Sequence, residues 1–274
     1  IEKKEQKQKI VRMAAYDYPT ARLIDEAEID IILVGDSLGM NVLGFEDTLG
    51  VTIDDMILFT GAVKRGAPHC FIVSDLPFGS YLTKKMALEN ACKLIRAGAD
   101  AVKLEGGEES CEMVRALSRA GILVNGHIGL TPQSYKKLGG FKIQGKDIKQ
   151  AIQLVKDAEA LEEAGCVLLL LEAMPALIAQ TITERLKLLT VSIGSGPHCD
   201  VITIVFHDFA GLNSRVPKFV KKYCDLSSIL IDALKKYKEE AETGCYPDNE
   251  HCYLWPEAKQ NEFLDHFFPQ GNDG

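Results

Sequence analysis

We predict that this chain folds as an α/β protein, a (βα)8 TIM barrel, in which residues 1–274 form a single domain. Eight short runs of aliphatic and β-branched residues recur along the chain, with helix-like segments between them. Such unbroken apolar runs are typical of strands buried on both faces of a parallel sheet, and a closed barrel needs eight. We assign residues 253–274 to a peripheral C-terminal tail. The predicted strands are 11–16, 30–35, 70–75, 101–105, 122–127, 166–172, 189–194 and 201–207.

The segments between the strands carry the start signals of helices. Thr52 and Thr83 stand where a side-chain oxygen can accept a hydrogen bond from the first helical turn. Pro175 suits the first turn of a helix, where no backbone N–H is required. The predicted helices cover 53–65, a segment opened by Thr83, 147–164, 176–187, 216–223 and 226–242.

A short sequence motif that ends in glycine precedes several of the strands. Gly98, Gly121 and Gly165 each end such a motif, and Glu28 occupies the matching place before the second strand. We interpret the motif as the end of a helix with a left-handed cap, followed by a short loop. Its repetition favours a closed barrel, and an open doubly wound sheet is the alternative.

The connection between the seventh and eighth strands breaks this pattern. Only six residues separate Gly194 from Val201, which are too few for a crossover helix. We therefore expect either a short helical turn at this place or a different position for the eighth strand.

The composition argues against several classes of function. The chain has a formal net charge of −8, and an acidic surface does not favour nucleic acid as a partner. No apolar run approaches the ~18 residues of a membrane-spanning helix. The first residues also lack the apolar segment of a signal peptide. We therefore expect a cytoplasmic protein with no membrane partner.

The eight cysteines include no CxxC pair. Several lie within apolar strand or helix patterns, as Cys166 does, so we interpret them as reduced thiols of a cytoplasmic protein. A zinc site built from Cys245, His251 and Cys252 is the alternative.

An ionisable residue stands at the end of each of the first six predicted strands. A charge after an apolar strand is costly unless it is hydrated, paired or metal-bound, and all strand ends of a barrel meet at one rim. Asp36, Asp75 and Glu105 would repel one another there, and a divalent cation, best Mg2+, would relieve that repulsion. A salt-bridged rim with Lys103 as the counter-ion is the alternative. The six residues are Asp17, Asp36, Asp75, Glu105, His127 and Glu172.

Two glycine-containing turns are candidates for phosphate-binding loops. Residues 35–39 lack the GxGxxG spacing of a dinucleotide site. Gly194-Ser195-Gly196 could hold an anion, although loops of this kind are common.

Seven motifs between residues 10 and 252 carry a resemblance to a known family. They are Ala15-Tyr16-Asp17-Tyr18, Val34-Gly35-Asp36-Ser37-Leu38-Gly39-Met40, Arg65-Gly66-Ala67-Pro68, Asp75-Leu76-Pro77-Phe78, Lys103-Leu104-Glu105-Gly106-Gly107, Gly126-His127-Ile128-Gly129-Leu130-Thr131-Pro132-Gln133 and Gly139-Gly140-Phe141-Lys142-Ile143-Gln144-Gly145. Together they resemble the ketopantoate hydroxymethyltransferase (3-methyl-2-oxobutanoate hydroxymethyltransferase) family.

The resemblance implies an enzyme of pantothenate (coenzyme A) biosynthesis. Such an enzyme transfers a hydroxymethyl group from 5,10-methylenetetrahydrofolate to 3-methyl-2-oxobutanoate and forms 2-dehydropantoate. The resemblance also implies dependence on Mg2+ and assembly as a homodecamer. Carried over by position, the metal ligands are Asp36, Asp75 and Glu105, the oxo acid contacts are Asp36, Ser37, Asp75, Lys103 and His127, and the catalytic base is Glu172.

The chemistry of this reaction agrees with these residue types. A 2-oxo acid can chelate a metal through its keto and carboxylate oxygens, and the cation then stabilises the enolate that forms when C3 loses its proton. A carboxylate base such as Glu172 would take that proton. Lys103 would face the substrate carboxylate or the developing enolate.

The chain departs from the family pattern at three places. Val201-Ile202 replace Gly-Gln after Asp200, Gly50 replaces a proline, and Glu28 replaces a glycine. We expect the first change on the rim near the folate contacts, where it would alter folate affinity and leave the metal site intact.

Two other functions are alternatives. A carbon–carbon or carbon–phosphorus lyase of small oxo acids uses a similar metal barrel, but it carries a reactive Lys-Cys-Gly-His stretch that this chain lacks. A non-catalytic, ring-forming scaffold is the second alternative, and only residues 201–202 favour it. Folate-dependent formation of 2-dehydropantoate would separate the three.

Overall fold

Eight parallel strands close into a barrel in the computed structural model, which describes residues 2–6, 8–137 and 139–268. Each strand pairs with the next in sequence, and the eighth pairs with the first. The predicted (βα)8 barrel is therefore confirmed, and the open sheet is excluded. The strands are β1 (Ile10–Ala14), β2 (Ile31–Val34), β3 (Phe71–Asp75), β4 (Ala101–Glu105), β5 (Leu123–Gly129), β6 (Leu168–Glu172), β7 (Leu189–Ile193) and β8 (Val201–Val205).

Helices occupy most of the connections between the strands, and the predicted ones are confirmed except for 216–223. No helix among the described residues is long and apolar enough to cross a membrane. The helices are α1 (Glu2–Glu5), α2 (Tyr18–Glu26), α3 (Leu38–Asn41), α4 (Ile53–Gly66), α5 (Lys84–Ala97), α6 (Cys111–Arg119), α7 (Ile148–Ala164), α8 (Ala176–Arg185), α9 (Phe206–Phe209), α10 (Leu226–Thr243) and α11 (Glu257–Phe267).

The helix ends show the predicted capping. The side chains of Thr52 and Thr83 accept hydrogen bonds from the first turns of α4 and α5. Gly98 and Gly165 end α5 and α7 with φ values of 115° and 107°, in the left-handed region. Glu28 adopts the same kind of conformation after α2, with φ of 56°. A non-glycine residue therefore sits at a position that favours glycine.

The segment 216–223 is not helical, contrary to the prediction. A Cβ at Gly194 would lie 2.6 Å from the Phe219 ring, so this ring is packed on the loop after β7. Tyr223 stacks on Phe209 with 4.9 Å between ring centroids, and its backbone N–H donates to Phe209 O at 2.9 Å. These contacts with α9 and with the loop after β7 override the local helical pattern.

Residues 194–200 join β7 to β8 without a helical turn, and β8 begins at Val201 as predicted but ends at Val205, because residues 206–207 belong to α9. The expectation of a helical turn or a displaced eighth strand is therefore wrong. Seven residues can span ~23 Å when extended, which is enough to return along a strand of five residues. Val201 and Ile202 consequently begin β8 at the amino-terminal end of the barrel. The expectation that they lie on the catalytic rim is wrong. Asp200 is anchored at that same lower end, where its Oδ2 accepts from Thr190 N at 2.9 Å.

The barrel interior divides into an apolar lower part and a polar upper part. The lower part is one cluster of buried aliphatic side chains, and a second, larger cluster lies between the strands and the surrounding helices. Arg12 and Lys103 stand in the middle of β1 and β4, and the carboxylates of the interior lie at or just after the carboxyl ends of the strands. The lower cluster comprises Ile10, Ala14, Ile31, Leu33, Val73, Ala101, Leu168, Leu170, Val191 and Val201.

The cysteines are all free thiols. Cys70, Cys111, Cys166 and Cys199 are buried. Burial raises the pKa of the Cys166 thiol to about 12, so this group is protonated and unreactive at neutral pH.

The chain divides into two compact units, Ile1–Cys224 and Asp225–Gly274. The first contains the barrel, and the second contains α10 and α11. The assignment of the whole chain to a single domain stays a prediction. Within the predicted tail, 253–274, residues 269–274 lie outside the described residues.

Candidate active site

The polar upper end of the barrel brings together the ionisable residues that were predicted from five strand ends. Asp75 ends β3, Glu105 ends β4 and Glu172 ends β6, so their side chains share one rim. Asp36 follows β2, and His127 lies within β5. The buried polar and charged residues of this region include Asp36, Asp75, Lys103, Glu105 and His127.

Asp17, at the end of the first predicted strand, has a structural role instead. Its carboxylate accepts hydrogen bonds from the backbone N–H of Thr20 at 2.8 Å and from the Thr20 hydroxyl at 2.9 Å. Asp17 is therefore the N-cap of α2.

Lys103 is the central cation of the site. Its Nζ lies 3.0 Å from Asp75 Oδ2 and 3.8 Å from Glu105 Oε1. Burial lowers the pKa of Lys103, but the negative charges of Asp75 and Glu105 outweigh burial and raise it overall. Lys103 therefore remains an ammonium group, and the arrangement corresponds to the predicted alternative in which Lys103 is the counter-ion of the rim.

The carboxylates outnumber this cation, and their pKa values reflect it. Burial and the charge of Asp75 raise the pKa of Asp36 well above its usual range. Burial raises the pKa of Glu105 to about 7, although the charge of Lys103 opposes the rise. The site therefore favours an additional positive charge.

The donor atoms of these carboxylates fit a hard divalent cation. Asp75 Oδ1 and Glu105 Oε1 are buried without a hydrogen-bond partner in the part of the chain that the structure describes. Oxygen ligands of this type suit Mg2+. Asp36, Asp75 and Glu105 therefore stay our predicted metal ligands.

Their present spacing is set by other groups. No group of three or more His, Cys, Asp or Glu side chains among the described residues is arranged to hold a metal ion. The same holds for Cys245, His251 and Cys252, which were the alternative zinc site. The Lys103 ammonium lies against Asp75, and the amide of Gln133 donates to Asp36 Oδ2 at 2.7 Å. These contacts occupy Asp75 Oδ2 and Asp36 Oδ2, and they leave Asp75 Oδ1 without a partner among the described residues.

His127 connects the two sides of the site. Its Nδ1 lies 3.3 Å from Glu105 Oε1, and its Nε2 lies 3.1 Å from Glu172 Oε2. Burial and the charge of Lys103 lower the pKa of His127, so the imidazole is neutral at pH 7. The Glu172 side chain is 16% exposed, which leaves it open to the cavity above.

Ser37 lies at the start of α3, next to Asp36. Its hydroxyl is 2.7 Å from the Tyr16 hydroxyl, and Asn41 Nδ2 donates to the same tyrosine oxygen at 3.2 Å. Tyr16 is fully buried, and burial raises the pKa of its phenol. Tyr16 therefore holds the Ser37 side chain as a neutral hydrogen-bonding partner.

Gln133 was given no role from the sequence, although it ends one of the quoted motifs. Its backbone N–H donates to Glu105 Oε2 at 2.9 Å, and its side-chain amide donates to Asp36 Oδ2. The hydroxyl of Tyr81 donates to Gln133 Oε1 at 2.5 Å. Gln133 thus orients two of the predicted metal ligands. The motif Thr131-Pro132-Gln133 after β5 was the signal that could have identified it.

Two adjoining cavities meet at Glu172. The inner cavity measures about 100 Å3 and is lined by Asp36, Asp75, Lys103, Glu105 and His127, among others. The outer cavity measures about 880 Å3 and is mainly apolar. The residues that line both are Ser37, Pro132, Glu172, Ile193 and Val205.

The loop Gly194-Ser195-Gly196 has a structural role. The Ser195 hydroxyl donates to Leu171 O at 2.9 Å and accepts from Met174 N at 3.3 Å. The hydroxyl is therefore engaged with the backbone, and it is not free to bind an anion.

The fold and these cavities define a (βα)8-barrel enzyme with a carboxylate-rich site at the carboxyl ends of its strands. The family model described as ketopantoate hydroxymethyltransferase matches residues 1–249. The chain belongs to the ketopantoate hydroxymethyltransferase family and is a transferase.

Curated relatives agree with this assignment. The chain is 52% identical over 242 residues to a 3-methyl-2-oxobutanoate hydroxymethyltransferase of Pyrobaculum aerophilum, covering 88% of this chain and 92% of that protein. It is 49% identical over 262 residues to the enzyme of that name from Thermoanaerobacter pseudethanolicus, covering 94% and 95%.

Solved structures with low sequence identity share the fold. A phosphonopyruvate hydrolase superposes with a TM-score of 0.61 at 11% identity, covering 97% of this chain and 96% of that chain. A 2,3-dimethylmalate lyase gives a TM-score of 0.57 at 14% identity, covering 94% and 93%. At these identities the likeness concerns the barrel alone.

Proposed function

We propose that the protein transfers a hydroxymethyl group from 5,10-methylenetetrahydrofolate to 3-methyl-2-oxobutanoate and forms 2-dehydropantoate, as a step of pantothenate biosynthesis. Family membership supports the transferase class. One structural observation supports the reaction itself. Glu172, a carboxylate with no cation beside it among the ion pairs of the described residues, lines both the small charged cavity and the large apolar one.

The inner cavity suits the oxo acid. Lys103 and Ser37 would hold its anionic end, and His127 would lie beside it. Aliphatic side chains such as Leu33 and Leu170 also line this cavity and match the isopropyl group. The acid would then be oriented with C3 toward Glu172.

Glu172 would act as the base that removes the C3 proton. Its position between the cavities places it at the boundary where the new carbon–carbon bond must form. His127 Nε2 lies 3.1 Å from Glu172 Oε2 without a hydrogen bond between them in the present geometry. A small rotation of the imidazole would let its N–H donate to that oxygen and orient the carboxylate. The other carboxylate oxygen remains available for the proton.

Mg2+, when held by Asp36, Asp75 and Glu105, would supply the electrostatic stabilisation of the enolate oxygen. The protein's own contribution is to keep the cavity shut off from bulk water, since Asp36, Asp75 and Glu105 are each at most 5% exposed. Their interactions with charge are therefore stronger than they would be at the surface.

The outer cavity suits the bulkier co-substrate. Its volume of about 880 Å3 lies in the range of ligand pockets, and its lining includes Phe141, Ile143 and Phe219. Water adds to the methylene carbon as both of its bonds to the folate nitrogens break, which gives a one-carbon unit at the oxidation level of formaldehyde and leaves the two protons of water on those nitrogens. The deprotonated C3 then adds to this carbon, and the resulting alkoxide takes up the proton that was removed from C3. The products are 2-dehydropantoate and tetrahydrofolate.

The proposal is tested by incubating the protein with Mg2+ and the oxo acid, with and without 5,10-methylenetetrahydrofolate. We expect 2-dehydropantoate only when both substrates are present. Cleavage of an oxo acid without folate would instead indicate a lyase, and binding without turnover would indicate a scaffold.

Assembly and location rest on the family resemblance. We propose a homodecamer in the cytoplasm, and sedimentation of the purified protein tests its oligomeric state.

A further inference from the structure

Arg12 is a fully buried arginine in β1 that has no role in the reaction proposed above. Its Nε donates to Thr203 Oγ1 at 3.2 Å, and its NH1 donates to Asn125 Oδ1 at 2.9 Å. These partners belong to β8 and β5, so the guanidinium extends across the barrel interior. Thr203 and Asn125 each stand two positions before a residue that lines the inner cavity, Val205 and His127 respectively. Arg12 therefore forms the floor of the inner cavity, which it lines.

The guanidinium is incompletely satisfied. Its NH2 atom is buried without a hydrogen-bond partner, and Arg12 forms no ion pair within the described parts of the chain. Burial lowers the pKa of Arg12 to about 10, while the charges of Asp75 and Glu172 oppose this change. The side chain therefore stays positively charged at neutral pH. A buried cation without a bound counter-ion is costly, so this position favours an anion.

Lys103 cannot fill the same role alone, because its ammonium is already paired with Asp75 and Glu105. Arg12 has both an unshared charge and a free N–H donor. The inner cavity of about 100 Å3 has the volume of about three water molecules in the liquid, so the anion must be small.

We infer that Arg12 is a further substrate-binding residue, which receives the carboxylate of the small 2-oxo acid from the floor of the inner cavity. This inference rests on the proposed function. It also balances the charge of the site. With the four cavity carboxylates ionised and one divalent cation bound, Lys103 and Arg12 together bring the formal charge to zero. The anionic substrate then meets no net repulsion. If Arg12 were neutral, the remaining negative charge of the site would oppose its entry.

The test replaces Arg12 with a neutral side chain of similar length, Arg12→Met. We expect the Kd of 3-methyl-2-oxobutanoate, measured by titration calorimetry with saturating Mg2+ and again without metal, to rise roughly 10- to 100-fold. Arg12→Lys, which keeps the charge, should recover part of this loss. The melting temperature of Arg12→Met should be unchanged or higher, because replacing a buried charge with an apolar side chain is often neutral or stabilising.

A purely structural role would give the opposite pattern, a lower melting temperature with an unchanged Kd. Thr60→Val is the control, since it removes a buried hydrogen bond to Ser74 Oγ, and neither residue lines the inner cavity; we expect its Kd within about threefold of the original. Arg12→Gln provides a second neutral variant if Arg12→Met does not fold. A folded neutral variant that binds the oxo acid like the original protein would overturn the inference. Failure of the unaltered protein to form 2-dehydropantoate would instead count against the proposed function.

Discussion

At the scale of single residues, neutral hydrogen-bond donors determine how the charged groups of the site are arranged. Gln133 donates to Asp36 and Glu105, and Tyr16 holds Ser37. Strand-end position made Asp36 and Glu105 predictable from sequence. The contacts of Gln133 come from a turn that folds back over two other strands, and no local pattern encodes that return.

The raised pKa values of Asp36 and Glu105 predict that Mg2+ binding releases protons in acidic solution. Burial raises the pKa of Glu105 to about 7, so at pH 6 its side chain is mostly protonated and must lose the proton before its oxygen can bind the metal. Above pH 7 it is already ionised. The apparent Mg2+ affinity should therefore increase as pH rises toward 7, and the contribution of Glu105 should then level off.

Calorimetric titrations with Mg2+ at pH 6 and pH 8, in buffers of different ionisation enthalpy, measure the protons released. We expect greater release at pH 6. Glu105→Gln should reduce that release by about one proton. Equal release at both pH values in the unaltered protein would count against this account.

At the scale of elements, helix ends were well predicted because capping is local chemistry. Thr52 and Thr83 cap α4 and α5 as expected. The segment 216–223 was mispredicted because its apolar side chains pack on α9 and on the loop after β7 rather than along one helical face. The place of Val201 was mispredicted because the connection before β8 is extended and returns to the lower end of the barrel.

Glu28 follows α2 with φ of 56°, where glycine has no steric penalty. We predict that Glu28→Gly raises the free energy of unfolding by about 1 kcal/mol, because the left-handed strain of a side chain with a Cβ disappears. Urea denaturation measures the change. Glu28→Ala is the control, since it removes the exposed carboxylate and keeps the Cβ. An equal gain in both variants would assign the effect to charge rather than to backbone strain.

At the scale of the whole molecule, barrel closure makes a site from residues that are far apart in sequence. Asp36 and Glu172 come from opposite halves of the barrel sequence, yet they line the same inner cavity. The apolar runs predicted this closure, since eight strands buried on both faces have few other arrangements. The internal geometry was only partly predictable. Lys103 pairs with Asp75, its register neighbour on β3, as the predicted alternative required, whereas Arg12 reaches Asn125 across the barrel, and no local pattern encodes that contact.

The central claim is that this convergence positions Glu172 to remove the C3 proton of the oxo acid. Exchange of that proton in D2O, followed by NMR with Mg2+ and without folate, tests the step by itself. We predict exchange in the unaltered protein and a loss of at least about 100-fold in Glu172→Gln, with the Kd values of Mg2+ and of the oxo acid unchanged. Exchange in Glu172→Gln at the original rate would contradict the account.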